Sequence, residues 1–216
     1  NLSLNVGATY NALRVFQPFV SYSQGFSIYD LGRTLRAAKA DVLSKIETDP
    51  VRTHNYEVGF YSPLEELFGS GTRLDLQGAV YYTYAALGSD LKSQNGFWVV
   101  DRSPQRVYGV ELSAEATLNS RLSLGASFAA LEGRKQLPDG SWRGYMSGQS
   151  IPPLKVTAHV SYRPLKDLAL RLFALHTGSR DRFAPTTNPA TGVSQYEEGE
   201  GPVKPITLLS LQGNYR

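Results

Sequence analysis

The sequence predicts an all-β protein, an antiparallel transmembrane β-barrel to which this chain contributes about nine long strands. Three observations support this class. Long segments alternate strictly between apolar and polar residues, the links between them alternate between short and long, and no run of about 18 apolar residues is present. The last observation excludes a transmembrane helix and leaves a spanning sheet open.

The clearest strands form a hairpin in residues 151–177. Side chains on a strand change faces at every residue, so the first arm has one apolar and one polar face. A soluble strand has about 5–6 residues and a membrane-spanning strand roughly 9–11, and both arms are of the longer kind. We expect lipid against the apolar face and a polar lumen on the other, with the lumen side chains including Lys155, His159 and Arg171.

The remaining strands are read from the same alternation. We predict them at residues 1–11, 18–28, 56–63, 73–87, 106–118, 121–133 and 205–216, with a strand extension at 97–101 and a short helix at 35–46. Glu111 and Glu115 share the polar face of one strand. A polar lumen wall explains this pair better than acid–base chemistry.

The links between strands have two lengths. Turns near Leu13, Glu66, Asn119 and Lys166 are short, whereas the segments 29–53, 88–105, 137–150 and 183–204 are long. Outer-membrane barrels place short turns at the periplasmic end and long loops outside. The pattern therefore favours a barrel over a soluble sandwich.

Composition narrows the function classes. The chain has no Cys, 13 Tyr and a net charge of +3. Without Cys the chain cannot form a disulfide or a thiolate metal site. The many tyrosines suit the aromatic girdles at a membrane boundary, and the small net charge does not indicate a nucleic-acid-binding protein. The three histidines, His54, His159 and His176, lie on separate strands, which argues against a metal site. Because both chain ends fall inside strand-like segments, we expect a piece of a longer protein.

Four motifs in order resemble one family. They are FVSYSQGF at 19–26 followed by DLGR at 30–33, ETDPVRTHNYEVG at 47–59, RVYGVE at 106–111 and IPP at 151–153. Together they resemble the TonB-dependent outer-membrane receptors, the ferric-siderophore branch in particular. This sequence departs from the second motif at Val51, where Glu is common, and at Val58, where Leu is common.

The resemblance implies a 22-stranded barrel filled by an N-terminal plug that contacts TonB. Residues 1–216 would then be a partial barrel domain, its later part, without the plug. It further implies a non-enzymatic receptor of the Gram-negative outer membrane that needs no cofactor. Its partners would be a ferric siderophore, outer-membrane lipid and lipopolysaccharide, and the TonB complex through the plug.

A ferric siderophore is usually anionic and partly aromatic, so cationic and aromatic loop residues are the natural contacts. The candidates are Arg33, Arg36, Trp98, Arg102, Trp142, Arg143, Tyr145, Arg180 and Arg182. Each could instead be a solvated loop residue or a contact to lipopolysaccharide phosphates.

Four other functions stay open at this point. A passive outer-membrane channel or an adhesion barrel would lack the plug, and a phospholipase-type barrel would need a lipid-facing Ser–His pair. A soluble carbohydrate-binding sandwich would dissolve without detergent.

Overall fold

The computed structural model describes residues 2–27, 50–88, 90–94, 97–101, 103–146, 150–182, 186–187, 191–196 and 201–215. All the regular structure in these ranges is β-strand. No helix among them is both long and apolar enough to cross a membrane. The predicted helix at 35–46 lies outside the described residues.

Nine strands in a single antiparallel path form the main sheet, and they are β1 (Asn5–Thr9), β2 (Gln17–Ser27), β3 (Val51–Glu65), β4 (Arg73–Ala85), β7 (Gln105–Asn119), β8 (Leu122–Lys135), β10 (Lys155–Leu165), β11 (Leu168–Thr177) and β14 (Ile206–Tyr215). Five short strands belong to the links, namely β5 (Asp90–Gln94), β6 (Phe97–Asp101), β9 (Gly144–Tyr145), β12 (Thr186–Thr187) and β13 (Ser194–Gln195). The predicted all-β antiparallel class is confirmed.

Each long strand pairs with the next long strand along the chain, so successive links lie at opposite ends of the sheet. The links 10–16, 66–72, 120–121 and 166–167 meet at one end, which we call the short-turn end. The links 28–50, 86–104, 136–154 and 178–205 meet at the other, which we call the long-loop end. The predicted separation of short and long links is thus confirmed.

Three predicted elements differ most from the structure. β3 begins at Val51 rather than at 56, because β2 runs far enough for Ser27 to pair with Val51. Residues 97–101 do not extend a wall strand. They pair with 90–94 in a separate hairpin, where the partner is nearer along the chain and closing the link costs less entropy. β1 is also shorter than the predicted 1–11.

One face of the main sheet is apolar, and we call it the apolar face. Val110 marks it, lying between Val80 on β4 and Ala130 on β8. Large side chains on this face are exposed, among them Val20, Val58, Val80, Leu112, Val160, Leu172, Leu209 and Leu211. A water-soluble protein rarely exposes so continuous an apolar surface.

Buried apolar side chains in the described ranges are confined to one end of the sheet. The buried apolar residues among those described are Val51, Ala85, Met146 and Ile151, and all four lie at the long-loop end. Along the rest of the described wall, the large apolar side chains of this face are exposed rather than packed in a core.

The opposite face is polar and carries hydrogen bonds between neighbouring strands. Thr83 donates to Asn55 Oδ1 at 2.7 Å, and the Asn55 amide donates to Ser23 at 3.3 Å. His159 Nε2 lies 3.5 Å from a Glu115 oxygen. By strand register Glu111, Glu115, Lys155, His159 and Arg171 all share this polar face, as the alternation predicted.

Candidate functional site at the long-loop end

Four tyrosines form a row across the apolar face near the long-loop end. Register places Tyr22, Tyr56, Tyr82 and Tyr108 directly opposite one another on β2, β3, β4 and β7. The ring centroids of Tyr22 and Tyr56 are 5.1 Å apart, and those of Tyr56 and Tyr82 are 6.4 Å apart. Amphipathic rings in such a row are typical of the boundary between membrane and water.

Alternation along β4 and β7 puts Tyr82 and Tyr108 in phase with the apolar side chains of those strands, whereas Tyr22 and Tyr56 were not predicted to lie on this face. Tyr22 and Tyr56 are in phase with Val20 and Val58 on their own strands, which was the available signal. What the sequence did not contain was the register that aligns the four rings.

Two arginines lie one step beyond the tyrosine row toward the long loops. Arg106 on β7 and Arg134 on β8 are direct cross-strand partners on the apolar face, flanked by Tyr84 and Tyr145 in the same register. Like charges directly opposite each other repel, so this pair needs stabilising neighbours.

Aromatic rings provide that stabilisation. The guanidinium carbon of Arg106 lies 4.5 Å from the Trp142 ring centroid, and that of Arg134 lies 4.0 Å from the Tyr145 ring centroid. Both distances fall within the range in which a cation is attracted to the face of a ring. The Tyr84 ring also packs against Trp142, with centroids 6.3 Å apart. We call Tyr84, Arg106, Arg134, Trp142 and Tyr145 the rim cluster.

A tight turn presents Trp142 to this cluster. The backbone N–H of Gly140 donates to the Leu137 carbonyl at 2.8 Å, and Gly140 takes a φ of 79°, which glycine adopts without strain. Asp139 accepts hydrogen bonds from the Ser141 backbone N–H at 2.9 Å and from Arg143 at 3.1 Å. The Ser141 hydrogen bonds, and then the Arg143 guanidinium, hold the pKa of the Asp139 carboxyl below its usual range.

β9 places Tyr145 in the cluster. It pairs with the end of β8, so that Tyr145 stands opposite Arg134. The next residue, Met146, faces the other way and is buried together with Ile151 near Gly133. The loop 136–154 therefore contributes a ring to one face of the wall and apolar packing to the other.

A second charged group lies beside the rim cluster. Glu132, opposite Tyr108, accepts a 2.8 Å hydrogen bond from Arg182 and lies 3.5 Å from an Arg180 nitrogen. The hydrogen bond to Glu132 raises the pKa of Arg182. A backbone bridge between Arg180 and Val203 closes the loop that carries both arginines. The loop 178–205 is thereby attached to β8.

The structure assembles some of the sequence-predicted site residues and not others. Trp142 and Tyr145 join the rim cluster, while Arg180 and Arg182 meet at Glu132. Arg143 is exposed at the loop tip and pairs with Asp139. Arg33, Arg36 and Arg102 lie outside the described residues, and Trp98 is in β6, whose side chains are not described.

Three residues of this region were not among the predicted ones, namely Arg106, Arg134 and Glu132. Their position in the alternating pattern was the feature of the sequence that could have identified them. Each is an even-numbered residue in line with the apolar side chains of its own strand, where a charge is expensive unless the strand has passed the membrane boundary.

The histidines do not converge. His54 Nδ1 lies 2.8 Å from the Tyr22 hydroxyl, His176 Nδ1 lies 2.9 Å from the Thr207 hydroxyl, and His159 is on the opposite face. Within the described ranges, no three His, Cys, Asp or Glu side chains gather as a metal site would require.

A family model for the TonB-dependent receptor-like β-barrel matches residues 1–216. The chain belongs to this family. Its members are outer-membrane β-barrels of Gram-negative bacteria that act as receptors and transporters and not as enzymes. The match confirms the resemblance predicted from the four motifs.

Solved structures of the family share the fold. The TonB-dependent receptor chain is similar to the copper transporter OprC, with a TM-score of 0.77, 15% identity and coverage of 98% of this chain and 31% of that one. For the FrpB iron transporter from Neisseria meningitidis these values are 0.70, 15%, 100% and 31%.

FpvA from Pseudomonas aeruginosa, in complex with a pyoverdine and iron, gives a TM-score of 0.67, 18% identity and coverage of 98% and 26%. At these identities the likeness concerns the fold. The chain spans between about a quarter and a third of the length of these relatives.

Proposed function

We propose that this receptor barrel imports a ferric siderophore across the outer membrane with energy supplied through TonB. The observation that carries the proposal is the family match along residues 1–216. Siderophore and metal importers among the structural relatives support it. Residues 1–216 would be a partial barrel domain, coupled to TonB through a plug in another part of the receptor.

The two ends of the wall give the orientation. Long loops gather at one end and turns of a few residues at the other, which in outer-membrane barrels are the extracellular and periplasmic ends. The apolar face would then meet lipid, with the tyrosine row at the outer boundary. The polar face, with Glu115 and His159, would line the lumen.

The siderophore would be recognised at the long-loop end. Cationic and aromatic side chains suit an anionic, partly aromatic chelate. Among the described candidates, Arg143 and Arg182 keep exposed guanidinium groups while paired to a carboxylate. We propose these two, with Arg33, Arg36, Trp98 and Arg102, as siderophore contacts, and Trp142, Tyr145 and Arg180 as residues that hold the loops.

The ferric complex is cargo, and the proposed mechanism needs no enzymatic cofactor. A lumen lined with hydroxyl and amide groups, such as Thr83, Asn55 and Ser23, offers hydrogen bonds to a polar chelate or to a plug.

Growth under iron limitation tests the proposal. A strain that lacks the receptor gene is grown on hydroxamate, catecholate and carboxylate siderophores, on haem and on ferric citrate, beside the complemented strain. We expect the loss of growth on one siderophore class. Complementation with a receptor whose TonB contact is disabled should not restore growth, because import needs the energy coupling.

Two outcomes would overturn the proposal. If every iron source still supports growth, the proposed siderophore uptake is wrong. If the TonB-contact variant restores growth fully, the barrel is a passive channel. Copper uptake is measured in parallel, because a copper transporter is among the structural relatives.

A further inference from the structure

Three consecutive residues at the end of β8 attach two different long loops. Glu132 holds the loop 178–205 through two arginines, whereas Gly133 and Arg134 contact side chains of the loop 136–154. We call Glu132, Gly133 and Arg134 the shared anchor. We propose that the shared anchor couples the two loops, so that loosening of either loop loosens the other.

The peptide groups of Gly133 make a hydrogen bond toward each loop. Its N–H donates to Glu132 Oε1 at 3.0 Å, and this carboxylate is the one that holds the loop 178–205. Its carbonyl accepts a hydrogen bond at 3.4 Å from the backbone N–H of Met146, which belongs to the loop 136–154. A shift of the backbone at Gly133 therefore changes both attachments at once.

Packing restricts such a shift while the loop 136–154 is in place. Ile151 is 1% exposed and lies so close to Gly133 that an added Cβ would overlap its side chain. Glycine within a strand permits an approach of this kind because it has no side chain. Densely packed interiors transmit strain, so release of Ile151 would free the backbone that orients Glu132.

The two loops are also joined where they begin and end. The backbone N–H of Gly178, the first residue of the loop 178–205, donates to the carbonyl of Leu154 at 2.7 Å. Leu154 is the last residue of the loop 136–154. The loops thus contact each other at their base and meet the same strand end above it, which is the arrangement expected of segments that open as one unit.

This inference concerns the motion of the loops, and its test needs no siderophore. Amide hydrogen exchange of the full-length receptor in detergent is followed by mass spectrometry on peptides from both loops. Hydrogen-bonded amides report local opening, and they include Leu137 and Gly140 in one loop and Arg180 and Val203 in the other.

Glu132→Gln acts directly on the loop 178–205, because it weakens the hydrogen bonds from the two arginines. We expect exchange to become faster in that loop and also in the loop 136–154. The increase in the second loop should be about five-fold or more, which is the lower end of the usual coupling between two sites.

Ile151→Ala is the reciprocal change, because it removes packing over Gly133 and alters no charged group. It should accelerate exchange in the loop 136–154 and, since coupling is reciprocal, in the loop 178–205 as well. The two substitutions together should accelerate exchange by less than the product of their separate effects, because each one already releases the shared anchor.

Two controls separate coupling from general destabilisation. Glu65→Gln makes the same chemical change at an exposed salt bridge of the short-turn end and should leave both loops unchanged. The turn 66–72 should exchange at the wild-type rate in every variant of the shared anchor. Faster exchange in the turn as well as in both loops would show that the whole wall is destabilised, which would overturn the proposal.

Confinement of the effect to one loop would also overturn it. That result would be faster exchange only in 178–205 for Glu132→Gln, or only in 136–154 for Ile151→Ala. Heat-modified migration in gel electrophoresis shows whether each variant is a folded barrel. If Glu132→Gln does not fold, Arg182→Gln takes its place, because it removes the 2.8 Å hydrogen bond from the loop side and should spread to both loops in the same way.

Discussion

Arg182 donates a 2.8 Å hydrogen bond to Glu132, a residue fifty positions earlier in the chain. This contact joins the loop 178–205 to the end of β8 and is reinforced by Arg180 at 3.5 Å. The Glu132 side chain is only 13% exposed, so the three charges form a partly shielded group. A loop that would meet ligand is therefore attached to the wall through one carboxylate.

Glu132→Gln should loosen this loop. The neutral amide accepts weaker hydrogen bonds and removes the negative charge that faces Arg182 and Arg180, which lowers the free energy of local opening by about 1–3 kcal/mol. Limited proteolysis of the purified receptor should show cleavage within 178–205 roughly ten-fold faster. Glu65→Gln, at an exposed salt bridge of the short-turn end, should leave the rate unchanged. Equal rates in all three proteins would contradict the attachment.

Leu172→Arg and Arg171→Leu test which face meets lipid. Leu172 is 48% exposed on the apolar face, and the adjacent Arg171 is on the polar face. A lipid-facing arginine at mid-membrane costs about 2–4 kcal/mol, whereas a leucine in the lumen costs little. Denaturant titration of the folded barrel in detergent or lipid should show a large loss of stability for Leu172→Arg alone. Comparable losses of stability in both variants would contradict the assignment of the apolar face to lipid.

Gly133→Ala should disturb the buried group at the long-loop end. A Cβ at this position would overlap the Ile151 side chain and lie 2.7 Å from Met146 Sδ. Overpacking of this kind costs about 1–3 kcal/mol, and Ile151 is 1% exposed, so it has little room to move. Gly201→Ala, with nothing within 4 Å of the added Cβ, is the matched control. Thermal unfolding should give a lower midpoint temperature for Gly133→Ala than for Gly201→Ala. Equal midpoints would show that the Ile151 and Met146 side chains move aside at little cost.

Acid should release the turn that presents Trp142. The pKa of Asp139 is depressed in the folded protein by the Ser141 hydrogen bonds and then by Arg143, so the ionised carboxylate stabilises the turn. That stabilisation is fully present above the unfolded pKa of about 3.9 and disappears as pH falls through the lower folded value. Tryptophan emission should stay constant from neutral pH down to about pH 4 and change below it.

The Asp139→Asn variant is the control for this experiment. It should show the acid-type emission already at neutral pH and lose the transition, because no carboxylate remains to titrate. A wild-type transition centred well above pH 5 would mean that another group governs the turn.

The rim cluster shows where sequence reasoning reached its limit. Alternation alone placed Tyr108 and Val110 on the apolar face, and the same phase includes Arg106. Nothing local indicated that Arg134 would stand opposite it, because register depends on which strand pairs with which and on the turn that joins them. The stacking of Trp142 on Arg106 needed a loop fold that no periodicity encodes.

The sequence by itself determined the class of fold, the two faces of the wall and the separation of short from long links. Each of these follows from local chemistry, because a strand alternates its side chains and glycine-rich or polar segments break it. Four motifs further indicated the receptor family, which the match along 1–216 confirms. Only the tertiary structure aligned Tyr22, Tyr56, Tyr82 and Tyr108 in one row and set Arg106 beside Arg134 above it. Cross-strand pairing brings together residues far apart in sequence, and one residue of slip would have turned every side chain to the other face.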